Sequence, residues 1–251
     1  MNRGKRLLSL LLTVCMVLGL LPATALAASN TPFADVSALD WYCEAVEYVY
    51  EKGMMSGTGE TTFSPDDATT RGMIVTILHQ MEGKPAPAAQ AAFSDVTAEK
   101  YYANAVAWAN EQDIVAGYEN GAFQPETPIT REQMAAILYR YVSWKGLDVS
   151  AGEDTNILSY ADAFSISEYA IPALQWACGA GLIQGMGDGA LNPGGTATRA
   201  QVATILMRLC QWMESGGGQS SDETASAVLP PAAAPAALNL IWSRPGRSLP
   251  P

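Results

Sequence analysis

Three arginines, each directly after a threonine, open segments with helical apolar spacing. Threonine suits the N-cap of a helix, so each arginine becomes the first helical residue. A cation there opposes the helix dipole and costs about 0.3–1 kcal/mol, so helix stability does not explain the repeated arginine. A guanidinium beside unpaired helix N–H groups suits a carboxylate, and this pattern predicts an anion-binding site. The pairs are Thr70-Arg71, Thr130-Arg131 and Thr198-Arg199.

An alternative role for these arginines is structural. The three arginines belong to three similar stretches of sequence, called copies here, and each copy also carries one aspartate near its start, at Asp35, Asp95 and Asp162. These aspartates are interpreted first as turn or cap residues. An arginine that pairs with one of them would join one copy to the next, and such structural ion pairs are common. The residue types alone leave both roles open, and both are compatible with one groove.

Aromatic residues and glycines recur beside these charges. Trp41, Tyr101 and Tyr169 are expected on the first helix of each copy, where core packing is the default and stacking on a sugar ring is the alternative. The loop glycines are Gly57, Gly117 and Gly185. We expect them to supply positive φ, or a backbone N–H that faces a ligand.

These landmarks belong to one repeat that occurs three times. The copies open with Phe33-Ala34-Asp35-Val36, Phe93-Ser94-Asp95-Val96 and Tyr160-Ala161-Asp162-Ala163. From the first aromatic to the arginine there are 38 residues in copies one and two, and 39 in copy three. A loop aromatic or leucine two residues before a proline recurs at Phe63, Phe123 and Leu191. This regularity indicates a repeat architecture.

Each copy is predicted to fold as helix, loop, helix, which makes the fold all-α. The apolar residues of both segments fall on one helical face. The predicted repeats span 31–83, 91–144 and 158–213, and a low-complexity tail spans 214–251. One helix pair buries little apolar surface, whereas three packed pairs can form a core.

The N-terminus predicts export. Arg3, Lys5 and Arg6 precede an apolar run, and Ala25-Leu26-Ala27 offers a cleavage site, so residues 1–27 are predicted to be a signal peptide. Its removal shifts the net charge from −11 to −14. Such an acidic chain is a poor ligand for nucleic acid or anionic membranes. No membrane insertion is expected after cleavage.

Catalytic and metal-binding motifs are not found. His79 is the one histidine and has no counterpart in the other copies, so triad chemistry and zinc sites lack their ligands. No cofactor or metal is predicted, and the chain is predicted not to be an enzyme. The sequence does not decide whether Cys178 and Cys210 form a disulfide.

The set of landmarks resembles the S-layer homology family. Copy two resembles it most, through Phe93-Ser94-Asp95-Val96, Gly121-Ala122-Phe123-Gln124-Pro125 and Ile129-Thr130-Arg131-Glu132-Gln133. The resemblance implies three repeats in a pseudo-threefold arrangement around a central helical bundle. It also implies that grooves between repeats bind secondary cell-wall polysaccharide, often through a pyruvylated sugar, with the three Thr-Arg arginines closest to the ligand.

The expected location is therefore the wall or surface of a bacterium, with the protein as a carbohydrate-binding anchor. The alternative is a structural surface-layer protein that associates with itself. The sequence does not identify any further protein partner or cargo. The copies are unequal, because Met73 cannot complete the cap that Gln133 and Gln201 offer. We therefore expect Arg131 to matter most, Arg71 least, and one or two grooves to function.

Overall fold

A computed structural model of the protein describes residues 30–90, 93–152 and 154–217. The predicted signal peptide and the tail from residue 218 onward lie outside these ranges. Within them the chain forms α-helices, short 3-10 turns and three isolated β-bridges, but no strand. The all-α prediction is therefore confirmed. The helices are α1 Cys43–Glu51, α2 Arg71–Met81, α3 Ala103–Glu111, α4 Arg131–Trp144, α5 Ile171–Gly179 and α6 Arg199–Glu214.

The second helix of each copy begins at the predicted arginine. Thr130 and Thr198 cap α4 and α6, and each forms a complete capping box with the glutamine three residues later. Thr70 caps α2 only through the Met73 amide, at 3.4 Å. The weaker cap expected for copy one is confirmed, because methionine cannot return a hydrogen bond to the N-cap amide.

The first helix of each copy starts later than predicted. α1, α3 and α5 begin two residues after Trp41, Tyr101 and Tyr169, so these aromatics lie in the turn before the helix. The predicted apolar face is correct, since Ala45, Val46 and Val49 of α1 are buried, as are the matching residues of α3 and α5. The aromatic rings are left outside that face.

The packed helix pairs combine different copies. α2 packs against α3, α4 packs against α5, and α6 packs against α1. The second helix of each copy thus pairs with the first helix of the next, and the third pair returns to copy one. The linkers between copies connect helices that lie side by side, and the fold closes only when all three copies are present.

Three backbone segments meet where the second helices begin. The Thr69 amide donates to Ala197 O at 3.0 Å, the Ala197 amide to Ile129 O at 3.0 Å, and the Ile129 amide to Thr69 O at 2.8 Å. All three residues are completely buried. This closed triangle of hydrogen bonds has the threefold character that the family resemblance implies. It satisfies backbone groups that burial would otherwise leave unpaired.

Two other sequence-based questions are answered by the described residues. Cys178 and Cys210 are both unbridged thiols, so the disulfide that the sequence left open does not form. None of the helices in the described ranges is long and apolar enough to cross a bilayer.

Candidate functional site

The three Thr-Arg arginines are buried, and each donates to the loop of the next copy. Arg131 Nε donates to Leu191 O at 2.7 Å, and its Nη2 donates to Gln184 O at 2.8 Å. Arg199 makes the equivalent bonds to Phe63 O and Ser56 O of copy one, both at 2.7 Å. Arg71 Nε donates to Phe123 O at 3.0 Å. Much of the donor capacity of these guanidiniums is therefore used inside the protein.

The helix N-termini beside these arginines carry no free donors in their first turn. The Arg71 amide donates to Thr127 O and the Gly72 amide donates to Pro125 O, at 3.1 and 2.8 Å. The amide of Met73, the third residue of α2, donates to the side-chain hydroxyl of the N-cap residue Thr70. The same pattern holds for α4 and α6. The expectation that these N–H groups remain open to an anion is wrong, because the neighbouring copy's loop supplies their acceptors.

The aspartates bind the same loops from the other side. Asp35 accepts from the amides of Phe63 and Ser64 at 2.8 and 2.7 Å. Asp95 and Asp162 make the equivalent bonds to their own loops. Burial alone would raise the pKa of Asp35, but these amide bonds and the nearby Arg199 charge lower it below its ordinary value. The turn-residue interpretation of the aspartates agrees with this geometry.

The alternative of a direct arginine–aspartate pair is replaced by a shared partner. Among the described residues, none of the three arginines lies within 4.0 Å of a carboxylate. Arg199 and Asp35 instead bind the carbonyl and the amide of Phe63. The Arg199 guanidinium also lies 4.5 Å from the centroid of the Phe63 ring, and burial lowers the pKa of Arg199. The link between copies therefore runs through a loop backbone.

The loop glycines are required for close packing. None of Gly57, Gly117 and Gly185 has positive φ, so that expectation is wrong. A Cβ on Gly117 would lie 2.5 Å from the Phe93 ring, and one on Gly57 would lie 2.6 Å from the Phe33 ring. Positive φ occurs instead at the residue before the loop proline, at Ser64, Gln124 and Asn192.

The three aromatics before the first helices are solvent-exposed. Trp41, Tyr101 and Tyr169 are 67%, 61% and 51% exposed. Core packing, the default interpretation from the sequence, is wrong for these rings. Trp41 contacts Tyr42 edge-on at 5.3 Å, and Tyr101 contacts Tyr102 at 4.9 Å. An exposed ring held against a second ring is able to stack on a sugar.

Two grooves of about 390 Å³ each lie between copies and share one plan. The Arg71 groove is bounded by Tyr118 of the copy-two loop, Arg140 on α4, and Tyr169 of copy three. The Arg131 groove has Met186, Arg208 and Trp41 at the corresponding places. Each groove thus combines a buried arginine, an exposed aromatic and a second arginine near the middle of a second helix.

Sequence reasoning missed the second arginine of each groove. Arg140 and Arg208 both stand nine residues after the first arginine of their helix, so a signal was present in copies two and three. Copy one has Gln80 at this position, where its amide donates to Gly53 O. Arg208 Nη1 donates to Leu182 O at 3.3 Å, and neither arginine lies within 4.0 Å of a carboxylate in the described part of the chain. The two arginines therefore retain donors for an anion.

Glu132 is a second residue that sequence reasoning did not single out. It is buried at the second position of α4 and lines the Arg71 groove. It accepts from the Ser167 amide at 3.0 Å, the Ser167 hydroxyl at 2.8 Å and the Tyr169 hydroxyl at 3.3 Å. Burial and the Glu132 charge raise the pKa of Tyr169 to about 12, so this hydroxyl stays protonated at neutral pH.

The described residues show no arrangement for metal binding or triad chemistry. They contain no group of three or more histidine, cysteine or acidic side chains placed to hold a metal ion. The His79 ring lies 5.3 Å from the Trp108 ring at a tilt of 42°, and its Nε2 lies 2.8 Å from Pro85 O. The grooves instead gather guanidinium, hydroxyl and amide groups.

Comparison with known proteins identifies related repeats. The family model described as "S-layer homology domain" matches residues 32–72, 92–135 and 159–203, just over half of the chain. An endoglucanase of Bacillus sp. (strain KSM-635) is 34% identical over 211 residues, which are 82% of this chain and 22% of that protein.

Two relatives with surface-layer names match less closely. The surface-layer 125 kDa protein of Lysinibacillus sphaericus is 26% identical over 82% of this chain and 17% of its own length. The S-layer protein sap of Bacillus anthracis is 29% identical over 55% of this chain and 16% of its own length. The chain thus spans less than a quarter of each of these relatives.

Proposed function

This chain belongs to the S-layer homology family, and we propose that it anchors non-covalently to the bacterial cell wall by binding anionic groups of a wall polysaccharide. The grooves between copies are the proposed binding sites. The match to three tandem repeats supports this role, as do relatives whose names place them in surface layers. The chain covers only 22% of the endoglucanase, so that relative's activity does not transfer with the match. The role proposed here is anchoring without catalysis.

One observation carries the proposal: the arginines of this acidic chain concentrate at the grooves. Residues 30–217 contain five arginines. Arg71 and Arg140 line one groove, and Arg131 and Arg208 line another. Arg199 occupies the third equivalent position. In a chain with a net charge of −11, this clustering creates local sites for an anion against an overall repulsive field.

The two arginines of each groove have different roles in this proposal. Arg71 and Arg131 are buried and bonded to loop carbonyls, so they shape the groove wall and supply positive charge from behind it. Arg140 and Arg208 retain donors that face their grooves, and these donors would contact the polymer directly. The exposed rings of Tyr169 and Trp41 would stack on the sugar.

The third equivalent groove is proposed to be the weakest. By the repeat alignment it would combine Arg199 and Tyr101 with α2, where Gln80 replaces the second arginine and Met73 replaces the groove glutamine. The sequence ranked Arg71 lowest because copy one has the weaker cap. Since each arginine serves the next copy's groove, we now assign the lowest rank to Arg199.

Binding to purified wall sacculi tests this function. The Arg140→Gln/Arg208→Gln variant should lose at least about tenfold in affinity, because each arginine supplies charge-assisted hydrogen bonds. Lys84→Gln, which removes an exposed cation between α2 and α3, is the matched control and should bind as the unaltered protein does. Sacculi stripped of pyruvate should bind the unaltered protein weakly. Binding that survives both the double substitution and depyruvylation would exclude the anionic-sugar mechanism.

Self-association as a surface-layer protein is a second candidate, supported by one observation. Phe164 is 95% exposed and Leu158 is 68% exposed, and they lie in adjoining 3-10 turns of copy three. Adjacent exposed apolar residues of this kind are typical of contact sites. Sedimentation velocity without wall polymer distinguishes the candidates: concentration-dependent assembly that Phe164→Ser abolishes would favour the lattice role, and a constant monomer would favour anchoring.

A further inference from the structure

We infer that the two grooves take chemically different units of the polymer: the Arg131 groove binds the anionic group, and the Arg71 groove binds an uncharged sugar. Glu132 is the residue that distinguishes them. This inference rests on the proposed function, since it assumes that both grooves bind wall polysaccharide. It adds a division of roles that neither the repeat pattern nor the family match contains.

The position of Glu132 is unique among the three copies. The corresponding residues are Gly72 on α2 and Ala200 on α6, neither of which has a polar side chain. The Arg71 groove therefore contains an acidic group that the Arg131 groove lacks, because no aspartate or glutamate lines the latter. The two grooves have equal volume, and each contains one pair of arginines at equivalent positions of the repeat.

The Glu132 carboxylate is fixed in place. It is 9% exposed and accepts three hydrogen bonds from Ser167 and Tyr169 of copy three. Among the described residues it has no cation within 4.0 Å to neutralise it. A side chain held in this way cannot swing out to make room for a second negative charge.

Like-charge repulsion would therefore act against an anion in the Arg71 groove. A ligand carboxylate there would meet Glu132 at short range in a partly desolvated site, where charges interact more strongly than in water. Arg71 and Arg140 offset only part of this repulsion, because Glu132 adds a negative charge to this groove that has no counterpart in the Arg131 groove. An anion in the Arg131 groove meets two arginines and no acid.

The same carboxylate favours uncharged sugars. Glu132 Oε2 accepts one bond, from the Ser167 amide, so it retains capacity for a hydroxyl or amide N–H of a ligand. Tyr118, Tyr169 and Gln133 surround it with further hydroxyl and amide groups. Hydrogen bonds from sugar hydroxyls to an ionised carboxylate are stronger than those between neutral groups.

Calorimetric titration tests the difference with two small probes: the 4,6-O-pyruvyl ketal of a methyl hexopyranoside, and its uncharged methyl ester. The acid probe should bind the unaltered protein at one site, which Arg208→Gln abolishes and the control Lys84→Gln leaves intact. Glu132→Gln should open a second site for the acid, with a gain of at least about tenfold in affinity at that groove. Glu132→Ala serves as a second variant, and a thermal melt checks that both remain folded.

The outcomes separate this inference from the proposed function. Two equal acid sites in the unaltered protein, or an unchanged number of sites in both Glu132 variants, would overturn the division of roles and leave wall binding intact. Failure of the acid probe to bind at all, together with failure to bind sacculi, would overturn both proposals. The ester should compete at the Arg71 groove alone, and equal binding of the ester at both grooves would also count against the inference.

Discussion

Asp35 and Arg199 bind the two polar backbone groups of one residue, Phe63. The Asp35 carboxylate accepts from the Phe63 amide at 2.8 Å, and Arg199 Nε donates to the Phe63 carbonyl at 2.7 Å. Asp35 belongs to copy one and Arg199 to copy three, so the loop between them joins the two ends of the described chain. The relationship recurs with Asp95 and Arg71 on Phe123, and with Asp162 and Arg131 on Leu191.

Replacement of Arg199 by alanine should destabilise the protein by roughly 2–4 kcal/mol. The substitution leaves the buried Phe63 carbonyl and the partly buried Ser56 carbonyl without their donor, and unsatisfied groups of this kind are costly. Arg140→Ala removes the same side chain from an exposed position and is the control, with an expected change of less than about 0.5 kcal/mol. Urea unfolding followed by tryptophan fluorescence measures both. Equal effects for the two variants would show that the buried hydrogen bonds contribute little.

The aspartates should make stability depend on acid pH. The pKa of Asp162 is lowered from 3.8: burial alone would raise it, but the amides of Leu191 and Asn192 and the charge of Arg131 outweigh burial. A group with a lowered folded-state pKa stabilises fully above its unfolded value, and this contribution is lost as the pH falls through the folded value. The free energy of unfolding should therefore decrease as the pH is lowered below about 4.

Asp162→Asn isolates this effect. It should cost about 1 kcal/mol at neutral pH and should make the loss between about pH 6 and pH 3 smaller than in the unaltered protein. Urea midpoints at both pH values give the comparison. Parallel losses in the two proteins would assign the acid sensitivity to other groups.

Sequence periodicity predicted the helices better than it predicted their partners. The start of α4 at Arg131 and its capping box follow from local residue types, because the bonds lie within four residues. An apolar face, in contrast, does not specify which helix covers it, so the pairing of α2 with α3 could not be derived. Copies of one repeat expose nearly identical faces, and the choice depends on linker geometry.

The site was harder to predict because its main partners are backbone atoms. Arg131 binds the carbonyls of Leu191 and Gln184, and a carbonyl leaves no trace in the residue type that carries it. Arg208 was open to prediction, because it repeats Arg140 at the same offset. Trp41 was misassigned to the core since α1 begins two residues later than the apolar spacing indicates.

Gly117→Ala should destabilise the protein by roughly 1–3 kcal/mol. The added Cβ would lie 2.5 Å from Phe93 Cε1 and 2.9 Å from Ala122 O, so the ring and the loop would both have to move. Gly194→Ala is the matched control, because its Cβ meets nothing within 4 Å and its φ is not in the left-handed region. The two variants are compared by thermal unfolding. A normal melting temperature for Gly117→Ala would refute the close-approach explanation.

The pairing of helices from different copies predicts which fragment of the chain can form helix on its own. Peptide 31–83 contains one complete sequence copy, yet its helices α1 and α2 pack against α6 and α3, which it lacks. Peptide 66–116 has nearly the same length and contains the packed pair α2 and α3. Since isolated short helices are marginal in water and gain stability mainly from tertiary packing, the second peptide should be the more helical.

Circular dichroism at 222 nm compares the two peptides directly. We expect a mean residue ellipticity at least about twice as negative for 66–116, because only this peptide can bury Val106 and Ile74 against a partner helix. A third peptide, 126–180, contains the packed pair α4 and α5 and should behave as 66–116 does. Higher helicity in 31–83 than in both others would contradict the assigned pairing, since the sequence copy would then be the packing unit.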